Sequence, residues 1–65
     1  MSQDETNITV TLEQLTGEEW GAEVTYLKDD TVDVVVWTKE ATRAYFAEGE
    51  TPARALLNIT AQMGL

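Results

Sequence analysis

The run Ala47-Glu48-Gly49-Glu50-Thr51-Pro52-Ala53-Arg54-Ala55-Leu56-Leu57-Asn58-Ile59 constrains this chain more than any other stretch, because it specifies where one element ends and a helix begins. Gly49 permits a backbone turn that a side chain resists. Thr51 is placed to cap the open amides of a first helical turn, and Pro52 presets φ where no N–H is missed. From Pro52 to about Met63, the residues Pro52, Ala55, Leu56, Ile59 and Met63 share one arc of about 100°, wide enough to cover a small sheet. Gly64 stops the helix.

Upstream, the periodicity is that of strands. Met1 to Thr6 are polar and acidic without a period and read as a disordered, frayed terminus. Ile8, Val10 and Leu12 then alternate with Thr9, Thr11 and Glu13, which predicts a half-buried first strand. After a turn at Thr16-Gly17-Glu18-Glu19, a second strand has Trp20, Ala22, Val24 and Tyr26 inward and Gly21, Glu23 and Thr25 outward. Lys28-Asp29-Asp30 forms a tight connection, since Asp tolerates turn conformations and bonds its own backbone. Thr31 to Thr38 is β-branched, with Val32, Val34 and Val36 on one face and Asp33, Val35 and Trp37 on the other. Thr38 to Glu48 admits two readings: a strand with Ala44 and Phe46 inward and Arg43 and Tyr45 outward, or a helix capped by Thr38 and ended by Gly49. The aromatic content and the short turn after Trp37 favour the strand. The expected fold is therefore α+β: a three- to four-stranded antiparallel sheet with one C-terminal amphipathic helix packed on one face, residues 7–65 forming a single domain.

Size and composition narrow the chemistry. The single core of a 65-residue chain contributes only about 3–5 kcal/mol without a staple, so self-association or a partner is expected to supply further stability. With no cysteine and no histidine, the usual zinc and haem ligand sets and the commonest general base are missing. The one serine, Ser2, has no base to activate it. Glu18-Glu19, Asp29-Asp30 and Glu48/Glu50 are the candidate acid–base or cation-binding pairs, but each falls in an expected turn, where solvated charge normally sits. We therefore expect no catalytic residue, no metal and no cofactor. No basic-then-apolar leader precedes the domain, and no apolar run approaches the ~18 residues of a membrane span, so a cytoplasmic protein is expected. Asn7-Ile8-Thr9 and Asn58-Ile59-Thr60 would be glycan acceptors only in a secretory setting.

Twelve acidic residues against four basic ones give a formal net charge of -8. Phosphate backbones need clustered Lys and Arg, and Lys28, Lys39, Arg43 and Arg54 are scattered among carboxylates, which argues against direct nucleic-acid binding. A basic protein surface is the electrostatically natural partner. Solubility or salt adaptation alone also accounts for such a charge.

Candidate contacts follow from the expected faces. Thr9, Thr11, Glu23, Thr25, Asp33, Val35, Trp37, Arg43 and Tyr45 would point away from the helix, making Trp37 and Tyr45 cross-strand neighbours with Glu23 and Asp33 as steering charges. Exposed aromatics of this kind anchor protein interfaces or merely stabilise the sheet as a pair. Stacking of RNA bases would need a basic surround. On the back of the helix, Ala53, Leu57 and Ala61 recur at i, i+4 and i+8; Leu57 is either an ordinary exposed leucine or a contact for a twin helix. An unpaired edge strand offers a third route to partners.

Strands followed by Gly49-Glu50-Thr51-Pro52-Ala53-Arg54-Ala55-Leu56-Leu57-Asn58 resemble the strand-to-helix junction of the HicB-like antitoxin family, which typically reads Gly-x-Thr-x-x-Glu-Ala-hydrophobic. Arg54 stands where that pattern has an acidic residue, and no C-terminal DNA-binding element follows. Members of that family neutralise a small basic RNA-cleaving toxin through protein contacts, so the resemblance implies a binding module rather than an enzyme. The expectation is a small acidic protein-binding module that caps a basic, nucleic-acid-handling surface through Trp37, Tyr45, Leu57, Glu23 and Asp33, as an antitoxin-like regulator or a phage-encoded inhibitor mimicking nucleic-acid charge. The alternative is a structural or housekeeping homodimer, joined through the helix back face or an edge strand, whose acidity serves solubility only.

Overall fold

The computed structural model describes residues 3–65. The elements run α1 (Gln3–Thr16), β1 (Trp20–Tyr26), β2 (Val32–Thr38), β3 (Ala44–Gly49) and α2 (Pro52–Met63). The strands form an antiparallel sheet in the order β1-β2-β3. Both helices pack on the same face, α1 over β1 and α2 over β3 and β2. This is an α+β layer with an antiparallel sheet and a C-terminal helix, and it carries one helix more than the period-two pattern predicts.

That extra helix corrects the expected first strand. Ile8 and Leu12, spaced i, i+4, are buried, whereas Val10 lies on the far side and is 45% exposed. Alternation in Ile8, Val10 and Leu12 therefore coincides with half of a helical repeat. The threonines are accommodated in the helix by back-bonding: the Thr9 hydroxyl donates to Thr6 O at 3.0 Å, Thr11 to Asn7 O at 2.8 Å and Thr16 to Leu12 O at 2.7 Å. Gly17, at φ 75°, ends the helix in the left-handed region and donates its N–H to Glu13 O at 2.8 Å.

The acidic start is part of that helix rather than a frayed tail; of the residues expected to be disordered, Gln3 to Thr6 are helical and Met1 and Ser2 lie outside the described residues. Asp4 and Glu5 complement the positive end of the helix dipole and also fasten it to β1. The Tyr26 hydroxyl donates to Asp4 Oδ2, and the Val24 backbone N–H donates to Glu5 Oε2 at 3.3 Å.

Strand parity places the core. Trp20, Ala22, Val24 and Tyr26 pair with Thr38, Val36, Val34 and Val32, and Val36, Val34 and Val32 pair in turn with Tyr45, Ala47 and Gly49. This is the face under the helices. Its buried members, with Ile8 and Leu12 from α1 and Ala55 and Ile59 from α2, form the core. Thr38–Glu48 takes the strand alternative, but with inverted faces: Tyr45 is inward against the core and Phe46 is outward, 56% exposed. Thr38 sets that register. Its buried Oγ1 accepts from the N–H groups of Thr42 at 3.1 Å and Arg43 at 3.2 Å, closing the connection before β3.

The joint behaves as read. Thr51 Oγ1 accepts from the Arg54 N–H at 3.2 Å, Pro52 opens α2, and Gly64 closes it at φ 83°. Gly49 is required for a close approach: a Cβ there would lie 2.8 Å from Ala55 N and 3.2 Å from Ala55 Cα. The first turn of α2 therefore rests directly on the β3 backbone.

The helix-versus-strand distinction is testable by stability. Leu12→Ala should cost about 2–5 kcal/mol, most of the stability of a domain this small, while Val10→Ala should stay within about 0.5 kcal/mol. Urea unfolding followed by circular dichroism measures both, and comparable losses at the two positions would favour a strand.

Candidate protein-binding face

The sheet face opposite the helices is a grid of three rows set by the register: Gly21, Trp37 and Ala44; Glu23, Val35 and Phe46; Thr25, Asp33 and Glu48. It grades from apolar at the Trp37 end to acidic at the Asp33 end. Phe46 is the largest exposed apolar side chain on it.

Trp37 is half-buried although no helix covers it, and the reason is Gly21. A Cβ built on Gly21 would fall within the Trp37 indole, against Cε2, Nε1 and Cζ2. The ring lies across the bare glycine backbone of the neighbouring strand. A glycine that would weaken a strand elsewhere thus seats an aromatic ring flat on the sheet.

At the other end, Asp33 and Glu48 stand directly opposite one another on β2 and β3. Like charges so placed repel. Asp33 Oδ1 is shielded from solvent and has no hydrogen-bond partner among the described residues. The negative charge of Asp33, aided by partial desolvation, holds the Glu48 carboxyl above its ordinary value of 4.5.

Of the five sequence-predicted contacts, the fold brings three together and separates two. Trp37, Glu23 and Asp33 share the open face. Tyr45 does not: it lies under the helices, its ring 6.1 Å from that of buried Trp20, with the Arg43 guanidinium 5.5 Å over the Trp20 ring. Trp37 and Tyr45 are on opposite faces and cannot be cross-strand neighbours; Thr9 and Thr11 belong to α1 and leave the face altogether. Leu57 is exposed on α2, remote from the open sheet face.

Phe46 and Glu48 also occupy the open face, where the alternation did not put them. The signal was the parity of Glu48: an acidic residue belongs in water, and Phe46, two residues earlier, must share its face. Gly49 and Ala47, the small residues of the opposite parity, are those over which α2 can lie.

Charge is distributed unevenly around this grid. Two of the four cations are paired locally, Lys39 with Glu19 at 3.1 Å and Arg43 with Glu18, and they offset carboxylates beside the Trp37 end. Among the described residues no group of three or more His, Cys, Asp or Glu side chains is arranged to hold a metal ion. The β3 edge is occupied as well: Asn58 Nδ2 donates to Glu48 O at 3.1 Å and Gln62 Nε2 to Phe46 O at 2.7 Å. Side chains of α2 thereby cover carbonyls that an added strand would need.

The chain matches no family model, and neither the curated proteins nor the solved structures contain a significant match.

Two outcomes follow from this geometry. Because the fold raises the Glu48 carboxyl above its unfolded value, the native state holds the proton more tightly. Stability is therefore lost as pH rises from about the ordinary glutamate value through the raised one. Glu48→Gln should raise the melting temperature relative to the parent at neutral pH, and the gain should shrink as pH falls below that window. A lower melting temperature at neutral pH would contradict the repulsion. Gly21→Ala should displace the Trp37 ring at a cost of about 1–3 kcal/mol and make one of the two tryptophans accessible to acrylamide quenching; unchanged quenching would contradict the stacked position.

Proposed function

We propose that this chain is a non-enzymatic protein-binding module, working in the cytosol, whose open sheet face seats on a basic surface of a nucleic-acid-handling protein partner. The observation that carries this reading is the juxtaposition, on one solvent-facing sheet, of Trp37, Val35 and Phe46 with Glu23, Asp33 and Glu48. Apolar anchors beside unpaired carboxylates suit a partner that presents apolar area bordered by Arg or Lys. The aromatics supply buried area, and the carboxylates supply steering and register. Asp33 and Glu48 repel each other in the free protein, so a partner cation placed between them relieves that repulsion and gains affinity from it. A phosphate backbone would meet the same carboxylates as like charge, which favours a protein over a nucleic acid.

The settings that suit such a module are an antitoxin-like regulator, in keeping with the HicB-like junction at Gly49 to Asn58, and a phage-encoded inhibitor that presents nucleic-acid-like charge to its target. In both, binding alone is the activity.

The test is to recover the partner by affinity purification from the native host and to titrate it calorimetrically with the parent chain, Phe46→Ser and Asp33→Lys. The reading expects a basic partner, affinity that falls as salt rises, and a loss of about tenfold or more for each variant. A partner held at unchanged affinity by both variants would overturn it.

A further inference from the structure

All twelve acidic residues lie at or before Glu50, and from Thr51 to Leu65 the only charged side chain is Arg54. The exposed flank of α2 therefore carries no carboxylate of its own in this -8 chain, and the acidic residue lining the groove beside it is Glu50. Leu57 projects from it, 59% exposed. Asn58 and Gln62, which would otherwise make it polar, turn their amides back to β3. Beside Leu57 is a groove of about 380 Å³ lined by Gly49, Glu50, Arg54, Leu57 and Asn58. Arg54 makes no ion pair among the described residues.

A projecting apolar side chain next to a groove, with a cation and an anion on the groove's own walls, is a self-complementary patch. A two-fold axis through such a patch places each knob in the other copy's groove and closes the assembly at two. We infer that this flank of α2 is the interface between two copies of the chain, with Leu57 of each seated in the groove of the other and Arg54 of each facing the Glu50 of the other. A second copy fits better than a basic partner here, since a basic partner would meet Arg54 and find only Glu50 in return. It also fits better than an acidic one, which the rest of the surface repels. The pairing leaves both open sheet faces outward, so the dimer presents two binding faces and a repetitive or dimeric target gains avidity.

Sedimentation equilibrium of the full chain over a concentration series, at low and high salt, tests this. The dimer should persist or tighten at high salt, because screening the repulsion between two acidic chains outweighs the weakening of two exposed Arg54–Glu50 pairs and leaves the apolar contact intact. Leu57→Glu should be monomeric, with unchanged circular dichroism because Leu57 is exposed. Arg54→Glu should weaken the dimer, and adding Glu50→Arg to it should restore association. A parent chain that stays monomeric at high salt throughout the series, or a dimer unaltered by Leu57→Glu, would overturn the interface; a charge swap that fails to restore association would overturn the Arg54–Glu50 pairing. Asp33→Lys should still dimerise, so loss of the partner-binding reading and loss of the dimer are separable results.

Discussion

The burial of Val32, Val34 and Val36 under two helices on one side of the sheet is the constraint on which the other features depend. These valines are on the central strand, all are essentially inaccessible, and their parity dictates that of both neighbours. A one-residue slip of β3 would carry Phe46 and Glu48 into the core and expel Tyr45 and Ala47, a change no single contact could offset. One-sided covering also forces the remaining face into water, and that face carries the aromatic and acidic side chains.

Two small residues make this arrangement possible. Gly49 lets the first turn of α2 rest on the β3 backbone, and Gly21 lets Trp37 lie across β1. On the helical side, contact between backbones brings Ala55 and Ile59 onto the valines. On the open side, an indole partly protects a sheet face that no element covers. The helices also cover hydrogen-bonding groups along the sheet edges, Glu5 on β1 and Asn58 and Gln62 on β3. With those edge groups engaged, the proposed recognition is through faces rather than strand addition: we propose a basic protein for the acidic sheet surface and a second copy for the flank of α2.

Much of this was legible in the residues. The Gly-x-Thr-Pro joint specified α2 to its caps because each signal there is local. The hairpin from Trp20 to Thr38 was legible because alternation and an Asp-rich turn agree. Residues 8–12 misled because Ile8, Val10 and Leu12 satisfy a period of two and, through Ile8 and Leu12 alone, a period of 3.6. Only tertiary covering of β1 chooses between them, helped by threonine hydroxyls that bond back along the helix. The inverted parity of β3 has a different origin, an aromatic pair in which either ring serves as core. Glu48 and Gly49 carried the answer, but through what they exclude from each face. The alternation therefore put Trp37, Glu23 and Asp33 on the open sheet face, where they lie, and put Phe46 and Tyr45 on each other's faces.

The parity of β3 relative to β2 is the claim on which the open face rests, and nuclear Overhauser contacts between aromatic rings measure it directly. The fold predicts cross-peaks between Tyr45 and Trp20, whose ring centroids are 6.1 Å apart, and none between Tyr45 and Trp37. Cross-peaks between Tyr45 and Trp37, with Phe46 contacting Ile59 or Ala55, would contradict it.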